Sequence, residues 1–261
     1  MIRTTRRAFL ASCGVASLLW IGSAGIESAQ RLASQLAYRQ LQSKTPAAAI
    51  ATPRSTSTTT SASSKGVASL LDQNKDAAGW LVVENTAVSY PLVQASHKNK
   101  DWYLHHNFWN QKDVAGCPFI DDRCTVSSQH VLVFGHHLGS TNLMFSSLAS
   151  AWKGNVFQTL GSASIETVDN LVFRFKPLCA LRVEKNCELV QRFEWPGAAE
   201  MRNWLSQILD QADTKAQTAQ EDAHKARQVL TLATCSNAVA GQNRERYFRS
   251  PTVKMPFILP T

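Results

Sequence analysis

One cysteine and one histidine in this sequence each stand where an apolar run opens into polar residues. Cys235 closes the run Val229-Leu230-Thr231-Leu232-Ala233-Thr234-Cys235, and a polar stretch from Ser236 to Arg244 follows. A thiol at the end of a buried strand can be rigidly aimed and still be reached from solvent, and a nucleophile needs both properties. The same pattern also suits a small core cysteine. His136 and His137 follow Val131-Leu132-Val133-Phe134-Gly135, a second apolar run ended by a glycine. If that strand continued, adjacent residues would point to opposite faces, so only one of the two histidines could enter a shared cleft. A cysteine and a histidine at strand ends far apart in sequence are common raw material for a thiol nucleophile site, although a lone histidine is more often structural. Arg244 and Arg246 lie nine and eleven residues past Cys235. A fixed guanidinium beside a thiolate can hold a substrate carbonyl and stabilise the oxyanion formed in acyl transfer. Surface exposure is the default for an arginine.

Metal chemistry is not indicated. His105 with His106, and His136 with His137, are adjacent pairs, whereas two imidazoles share a helix face at i, i+4. None of the six cysteines forms a C-x-x-C pair, which argues against a zinc ribbon or a thioredoxin-type site. Setting aside Cys13 near the amino terminus and Cys235, four remain. Outside the cell they could pair locally, Cys117 with Cys124 and Cys179 with Cys187, or stay as four buried thiols.

The elements that must position these groups are mostly short strands. Apolar runs rich in Val, Leu, Ile and Phe occupy Trp80–Val83, Val88–Tyr90, Pro118–Ile120, Val131–Phe134, Leu171–Phe175, Leu178–Val183, Leu189–Phe193 and Val229–Ala233. One strong helix interrupts them at Ala198–Gln211, with Trp204, Leu205, Ile208 and Leu209 on its apolar face, and a shorter one is expected at Val67–Asp76. Thr214 to Lys225 is polar and reads as a solvated loop or helix end. Many strands with few helices point to a mainly β barrel or sandwich.

Before the globular part, Arg3, Arg6 and Arg7 precede an uncharged apolar stretch from Ala8 to Ile26. As a helix it would span about 28 Å, close to a hydrocarbon core, with its basic end cytoplasmic. We read residues 1–26 as an uncleaved membrane anchor. Thr5-Arg6-Arg7-Ala8-Phe9-Leu10 also resembles a twin-arginine export signal, and Gly22-Ser23-Ala24 a cleavage site. Residues 27–66 form a helix (Glu27 to Gln42, with Leu32, Leu36 and Leu41 near one face) and a Ser/Thr-rich spacer. The globular domain is 67–261. The chain carries a net charge of +8 and a pI near 9.3, which favours anionic surroundings. The basic residues are scattered and do not interleave with aromatics, so no nucleic-acid partner is expected.

Several stretches taken together resemble class B sortases. They are Gly79-Trp80-Leu81-Val82-Val83, Tyr90-Pro91-Leu92-Val93-Gln94, Trp102-Tyr103-Leu104-His105-His106-Asn107-Phe108, Gly116-Cys117-Pro118-Phe119-Ile120-Asp121, Phe134-Gly135-His136-His137-Leu138 with Met144-Phe145, and Thr231-Leu232-Ala233-Thr234-Cys235. Their order and spacing are similar to the family's over Val67 to Phe248, roughly two-thirds of the chain. The resemblance implies a sortase-type closed β-barrel of about eight strands, with N-terminal helices and one helix inserted between late strands. It implies Cys235 as nucleophile, His136 rather than His137 as acid/base, and Arg246 as the active-site arginine, with Thr234, Leu232 and Arg244 contacting substrate. No metal or organic cofactor is implied. The sequence departs from the pattern at His137, where the family usually has asparagine. It departs again after Arg246, where Pro251 and Pro256 require a strand that is short, at an edge or bulged.

The implied reaction is cleavage of a C-terminal sorting motif of a secreted protein through a thioacyl-enzyme. Transfer to an amino group of peptidoglycan or of a pilin follows, outside a single-pass membrane anchor. A cysteine hydrolase, or a catalytically silent wall-binding module of the same fold, are the alternatives.

Overall fold

The computed structural model describes residues 29–44, 64–94, 99–139, 141–184, 187–235 and 252–259. The expected anchor, most of the spacer, and Arg244 and Arg246 lie outside these residues. Among the described residues no helix is long and apolar enough to cross a membrane.

Among the described residues ten strands follow in chain order: β1 (Ala77–Val83), β2 (Ser89–Gln94), β3 (Phe119–Ile120), β4 (His130–Phe134), β5 (Ala163–Thr167), β6 (Val172–Pro177), β7 (Cys179–Val183), β8 (Thr214–Lys215), β9 (Gln228–Cys235) and β10 (Thr252–Leu259). Neighbours run β6-β5-β1-β2-β3-β4-β9-β10, and β10 pairs back onto β6, so eight strands close a barrel, with β7 and β8 extending it beside β10. The barrel is mixed: β2 pairs parallel with β3 and β4 parallel with β9, while the other pairs are antiparallel. Closure removes sheet edges and encloses a core that includes Trp80, Tyr103, Phe108, Phe145, Phe175 and Phe257.

The helices are α1 (residues 29–44), α2 (Ser64–Ala68), α3 (Leu70–Gln73), α4 (Gly154–Phe157), α5 (Ala198–Asp210) and α6 (Ala219–Lys225). In α5 the positions Met201, Trp204, Leu205, Ile208 and Leu209 are buried, the i, i+3, i+4, i+7, i+8 stripe of an amphipathic helix. That stripe packs against Leu181, Val229 and Ile258 in a second apolar cluster outside the barrel. Each such side chain contributes roughly 1.5–3 kcal/mol on full burial.

The structure corrects several sequence expectations. The run Leu189–Phe193 is not a strand: Glu188–Gln191 is a 3-10 turn, and the Trp204 indole donates to the Leu189 carbonyl at 2.6 Å. Its apolar residues cover α5 instead of joining a sheet. Thr214–Lys225, read as a solvated loop or helix end, holds the short strand β8 and ends in helix α6, where Ala219 and Ala223 are buried. β5, with its mixed composition Ala-Ser-Ile-Glu-Thr, carries no clear strand signal in sequence.

The last strand is neither short nor at an edge. β10 runs eight residues between β9 on one side and β7 and β6 on the other. The Pro256 carbonyl accepts from Leu178 N at 3.0 Å, so this residue's backbone faces the junction between β6 and β7. Its missing N–H therefore falls where the neighbouring strand changes, and the ladder to β9 loses nothing.

Helix α1 is part of the folded unit. Its buried positions are Ser34, Tyr38 and Leu41, whereas Leu32 and Leu36, expected near one face with Leu41, are more than half exposed. All four expected disulfide partners, Cys117, Cys124, Cys179 and Cys187, are free thiols. Burial pushes the Cys124 and Cys179 thiols up to about 12, so both stay protonated and unreactive at neutral pH.

Candidate active site

Two paired parallel strands, β4 and β9, lead to His136 and Cys235. β9 is flanked by strands on both sides, and its near-continuous apolar run reflects burial on both faces. In the β4–β9 register Phe134 lies opposite Ala233, and Gly135 N donates to the Ala233 carbonyl at 3.1 Å. Cys235 ends β9 two residues beyond Ala233, and His136 follows β4 two residues beyond Phe134. Adjacent strands are about 4.8 Å apart, so the two strands end close together at Phe134 and Ala233.

Glycine is required between β4 and His136. A Cβ on Gly135 would lie 2.5 Å from the Phe145 ring, inside any real contact distance. Phe145 is fully buried, and its backbone N–H donates to the His136 carbonyl at 2.9 Å, so the residue whose ring excludes a side chain at 135 also holds the histidine backbone through its own N–H.

The His136 imidazole is half-buried, and its Nε2 lies 2.7 Å from the Leu104 carbonyl. A carbonyl can only accept, so Nε2 carries the proton and Nδ1 is the basic nitrogen of the neutral ring. Desolvation pulls its pKa below the ordinary histidine value and outweighs the opposing Leu104 bond, which favours the neutral form at pH 7. His137 differs. It bridges to Met144, and its Nε2 meets the carbonyl of Gly139 at 3.2 Å, within its own turn.

Leu104 is in turn held by the segment from residue 102 to 117. Gly116 adopts φ +63°, and a Cβ there would strike the Tyr103 carbonyl at 2.4 Å and approach His136 Cδ2 at 3.2 Å. Helix α1 clamps this segment from outside. The Tyr38 hydroxyl donates to the Gly116 carbonyl at 2.8 Å and accepts from Phe108 N at 3.0 Å. Ser34 Oγ donates to the Asp113 carboxylate.

His136 opens onto a cavity of about 520 Å³. Phe134, Ala233, Thr234, Thr252 and Lys254 form one side of it, and Leu104, Asp121 and Arg123 another. Arg123 grips Asp121 in a bidentate pair at 2.7 and 2.8 Å, and also reaches Gln191 Oε1 at 3.0 Å and the Phe193 ring at 4.8 Å. Burial alone would raise the Asp121 carboxyl. The Arg123 bonds outweigh that and hold it below its usual range. This pair ties the barrel to the turn that precedes α5.

Of the residues expected to touch substrate, Thr234 lines the cavity, and its Oγ1 is buried without a hydrogen-bond partner. Leu232 does not line it. It is fully buried in the barrel core and can act only through packing. Sequence reasoning missed Asp121, Arg123 and Lys254. Of these, only Asp121 fell inside a family-like stretch, and no spacing rule marks the other two. Among the described residues no cluster of metal-ligating side chains occurs.

No family model matches the chain. It is 40% identical over 67 residues to Sortase B of Listeria monocytogenes, covering 25% of this chain and 26% of that protein. It is 30% identical over 87 residues to Sortase B of Staphylococcus aureus, covering 33% and 34%. The matched stretches thus span about a quarter and a third of those relatives. The fold likeness is broader. A sortase B–substrate complex from Staphylococcus aureus superposes with a TM-score of 0.68 at 19% identity, covering 90% of this chain and 99% of that one. Clostridium perfringens sortase B gives a TM-score of 0.59 at 22% identity, covering 72% and 96%. The fold of this chain is that of the class B sortases.

Proposed function

We propose that this chain, a class B sortase in fold and a relative of Sortase B proteins in part of its sequence, is an extracytoplasmic cysteine transpeptidase. The observation that supports the reading is the parallel β4–β9 pair, which ends at Phe134 opposite Ala233, two residues before His136 and Cys235, beside a cavity lined by His136 and Thr234. His136 Nδ1 takes the Cys235 proton. The thiolate attacks the carbonyl of the threonine in a sorting motif, the peptide bond breaks, and the imidazolium gives its proton to the departing amine. An incoming amine, from peptidoglycan or a pilin lysine, then attacks the thioester and displaces the thiol. Arg246 stabilises the oxyanion in both steps, Arg244 assists in holding the motif, and Thr234 offers its hydroxyl to the bound peptide. Residues 1–26 anchor the enzyme in the membrane with its domain outside.

The test supplies a motif peptide with an amine such as triglycine and separates products by mass. Ligated product that disappears in Cys235→Ala supports the transpeptidase. Cleaved peptide without ligation at saturating amine would make the protein a hydrolase. Parent protein that reacts with a methanethiosulfonate reagent at Cys235 but turns over no peptide would make it a silent module.

A further inference from the structure

Residues 187–197 precede α5, and Gln191 among them lines the cavity onto which His136 opens. A single 3-10 turn such as Glu188–Gln191 has poor hydrogen-bond geometry and cannot fix its own position, so its place is set by what it touches. Part of the segment is tied to α5 and β4. The Trp204 indole holds the Leu189 carbonyl, the buried His130 ring bonds the Arg192 carbonyl at 2.6 Å through Nδ1, and the Phe193 ring stacks on His130 at 5.5 Å.

The cavity side has a separate tie. Arg123 Nη1 donates to Gln191 Oε1 at 3.0 Å, and the same guanidinium stands 4.8 Å from the centroid of the Phe193 ring, a cation–π distance. Arg123 is itself fixed to the barrel. Its Nε and Nη2 donate to the two Asp121 carboxylate oxygens at 2.8 and 2.7 Å, and its backbone N donates to Oδ1 at 3.0 Å. Asp121 is buried, and its own N donates to the Leu132 carbonyl of β4 at 2.8 Å. Leu132, Asp121, Arg123 and Gln191 all line the one cavity. The guanidinium thus uses one edge of its planar fork on the carboxylate and reaches Gln191 with what remains, which an ammonium cannot do. The Arg123 side chain is 48% exposed, and an ion pair that open adds little to global stability. Its effect is therefore local: it decides where Gln191 and Phe193 stand.

We propose that Arg123 is a positioning residue for peptide recognition: by bridging Asp121 to Gln191 and Phe193, it holds residues 188–193 as a preformed wall of the cavity. This deepens the reading of the cavity as the place where the sorting motif binds, and it rests on that reading. A wall in place only part of the time weakens peptide binding in proportion to that fraction and leaves the chemical step alone.

The experiment compares the full-length parent with Arg123→Met, Arg123→Lys, Gln191→Ala and the Arg123→Met/Gln191→Ala double variant. Hydrogen exchange read by mass spectrometry, without peptide, should be faster across residues 188–193 in both Arg123 variants and parent-like in β4 and β9. Steady-state cleavage of a motif peptide should show KM raised about tenfold and kcat within about threefold. The double variant should lose no more than the worse single variant, because both changes break one bond. Losses that multiply in the double variant would mean that Arg123 meets the peptide on its own, and would overturn the positioning role. So would a folded Arg123→Met chain with unchanged exchange or unchanged KM, or with a loss in kcat alone. If Arg123→Met fails to fold, Gln191→Ala with parent-like exchange and KM overturns the inference instead. A parent chain that turns over no motif peptide removes the transpeptidase reading, and hydrogen exchange then decides the Arg123 tie by itself.

Discussion

His136 and Cys235 each stand two residues beyond the Phe134–Ala233 pair, where the parallel strands β4 and β9 last lie opposite one another. The imidazole is fixed from two directions, by its Nε2 bond to the Leu104 carbonyl and by Phe145 N on its backbone carbonyl. His137 instead bonds the Gly139 carbonyl within its own turn and does not line the cavity. His136→Ala should therefore lower peptide cleavage by about 10²–10⁴, the usual range for a general acid/base. His137→Ala should stay within roughly tenfold, as for a residue outside the reacting groups. Steady-state cleavage of one peptide by both variants checks this, and a larger loss at His137 would reverse the assignment.

Helix α1 is coupled to the site through Tyr38. The sequence places the globular domain at 67–261, but the Tyr38 hydroxyl satisfies both the Gly116 carbonyl and Phe108 N, deep in the segment that holds Leu104. Leaving buried backbone groups unpaired costs about 1–3 kcal/mol. A chain starting at residue 29 should match the parent in melting temperature. A chain starting at Val67 should melt lower and cleave more slowly, and Tyr38→Phe should reproduce part of the loss. Equal melting of the two truncations would show the clamp to be dispensable.

His130 should make stability depend on pH in a defined window. Its ring is fully buried, with Nδ1 at 2.6 Å from the Arg192 carbonyl and Nε2 at 2.8 Å from Thr231 Oγ1. Burial lowers its pKa from 6.5 to about 4. The unfolded chain then binds a proton that the native ring refuses, so stability is complete above pH 6.5 and falls as pH drops toward 4. The loss is on the order of 3 kcal/mol from this group. His136, shifted the same way, adds to it. The Asp121 contribution lies in a different window: its depressed carboxyl stabilises the fold above about pH 4 and is lost only at lower pH. Urea denaturation between pH 7 and 4.5 should show a shallower slope for His130→Gln than for the parent. Identical slopes would contradict the assignment.

Arg246 belongs to the segment that joins Cys235 to its cross-strand partner Thr252. Losing one oxyanion donor costs about 10²–10³ in rate. Arg246→Ala and Arg246→Lys should both fall by that order with Cys235 labelling retained, because an ammonium lacks the planar fork. Arg244→Ala should remain within roughly tenfold. Arg249, only three residues before Thr252, is the informative control. If Arg249→Ala is the crippled variant and Arg246→Ala is near normal, the arginine assignment moves three residues along the chain.

The sequence made the barrel legible where strands are buried on both faces. β4 and β9 stand out as continuous apolar runs, and α5 shows its stripe at helical spacing. β5 was hidden because its Ser164 and Glu166 interrupt any apolar pattern, although all five residues are buried. β10 was misjudged because a proline in a central strand is disfavoured, and only the pairing shows that Pro256 sits where β6 gives way to β7. The same limit applied to the site. Strand ends singled out Cys235 and His136 as candidates. The Leu104 bond to His136 and the Arg123 bond to Gln191 arise from contacts between distant segments, which no local spacing encodes.

The most direct measurement is the intact mass of the full-length chain after brief exposure to motif peptides without an added amine, followed by mapping of the modified residue. The expected result is an acyl adduct on Cys235 that is lost on adding triglycine, with the ligated peptide appearing in equal amount, and no adduct in Cys235→Ala. An adduct on a different residue, or ligation that survives Cys235→Ala, would contradict Cys235 as the nucleophile of a transpeptidase.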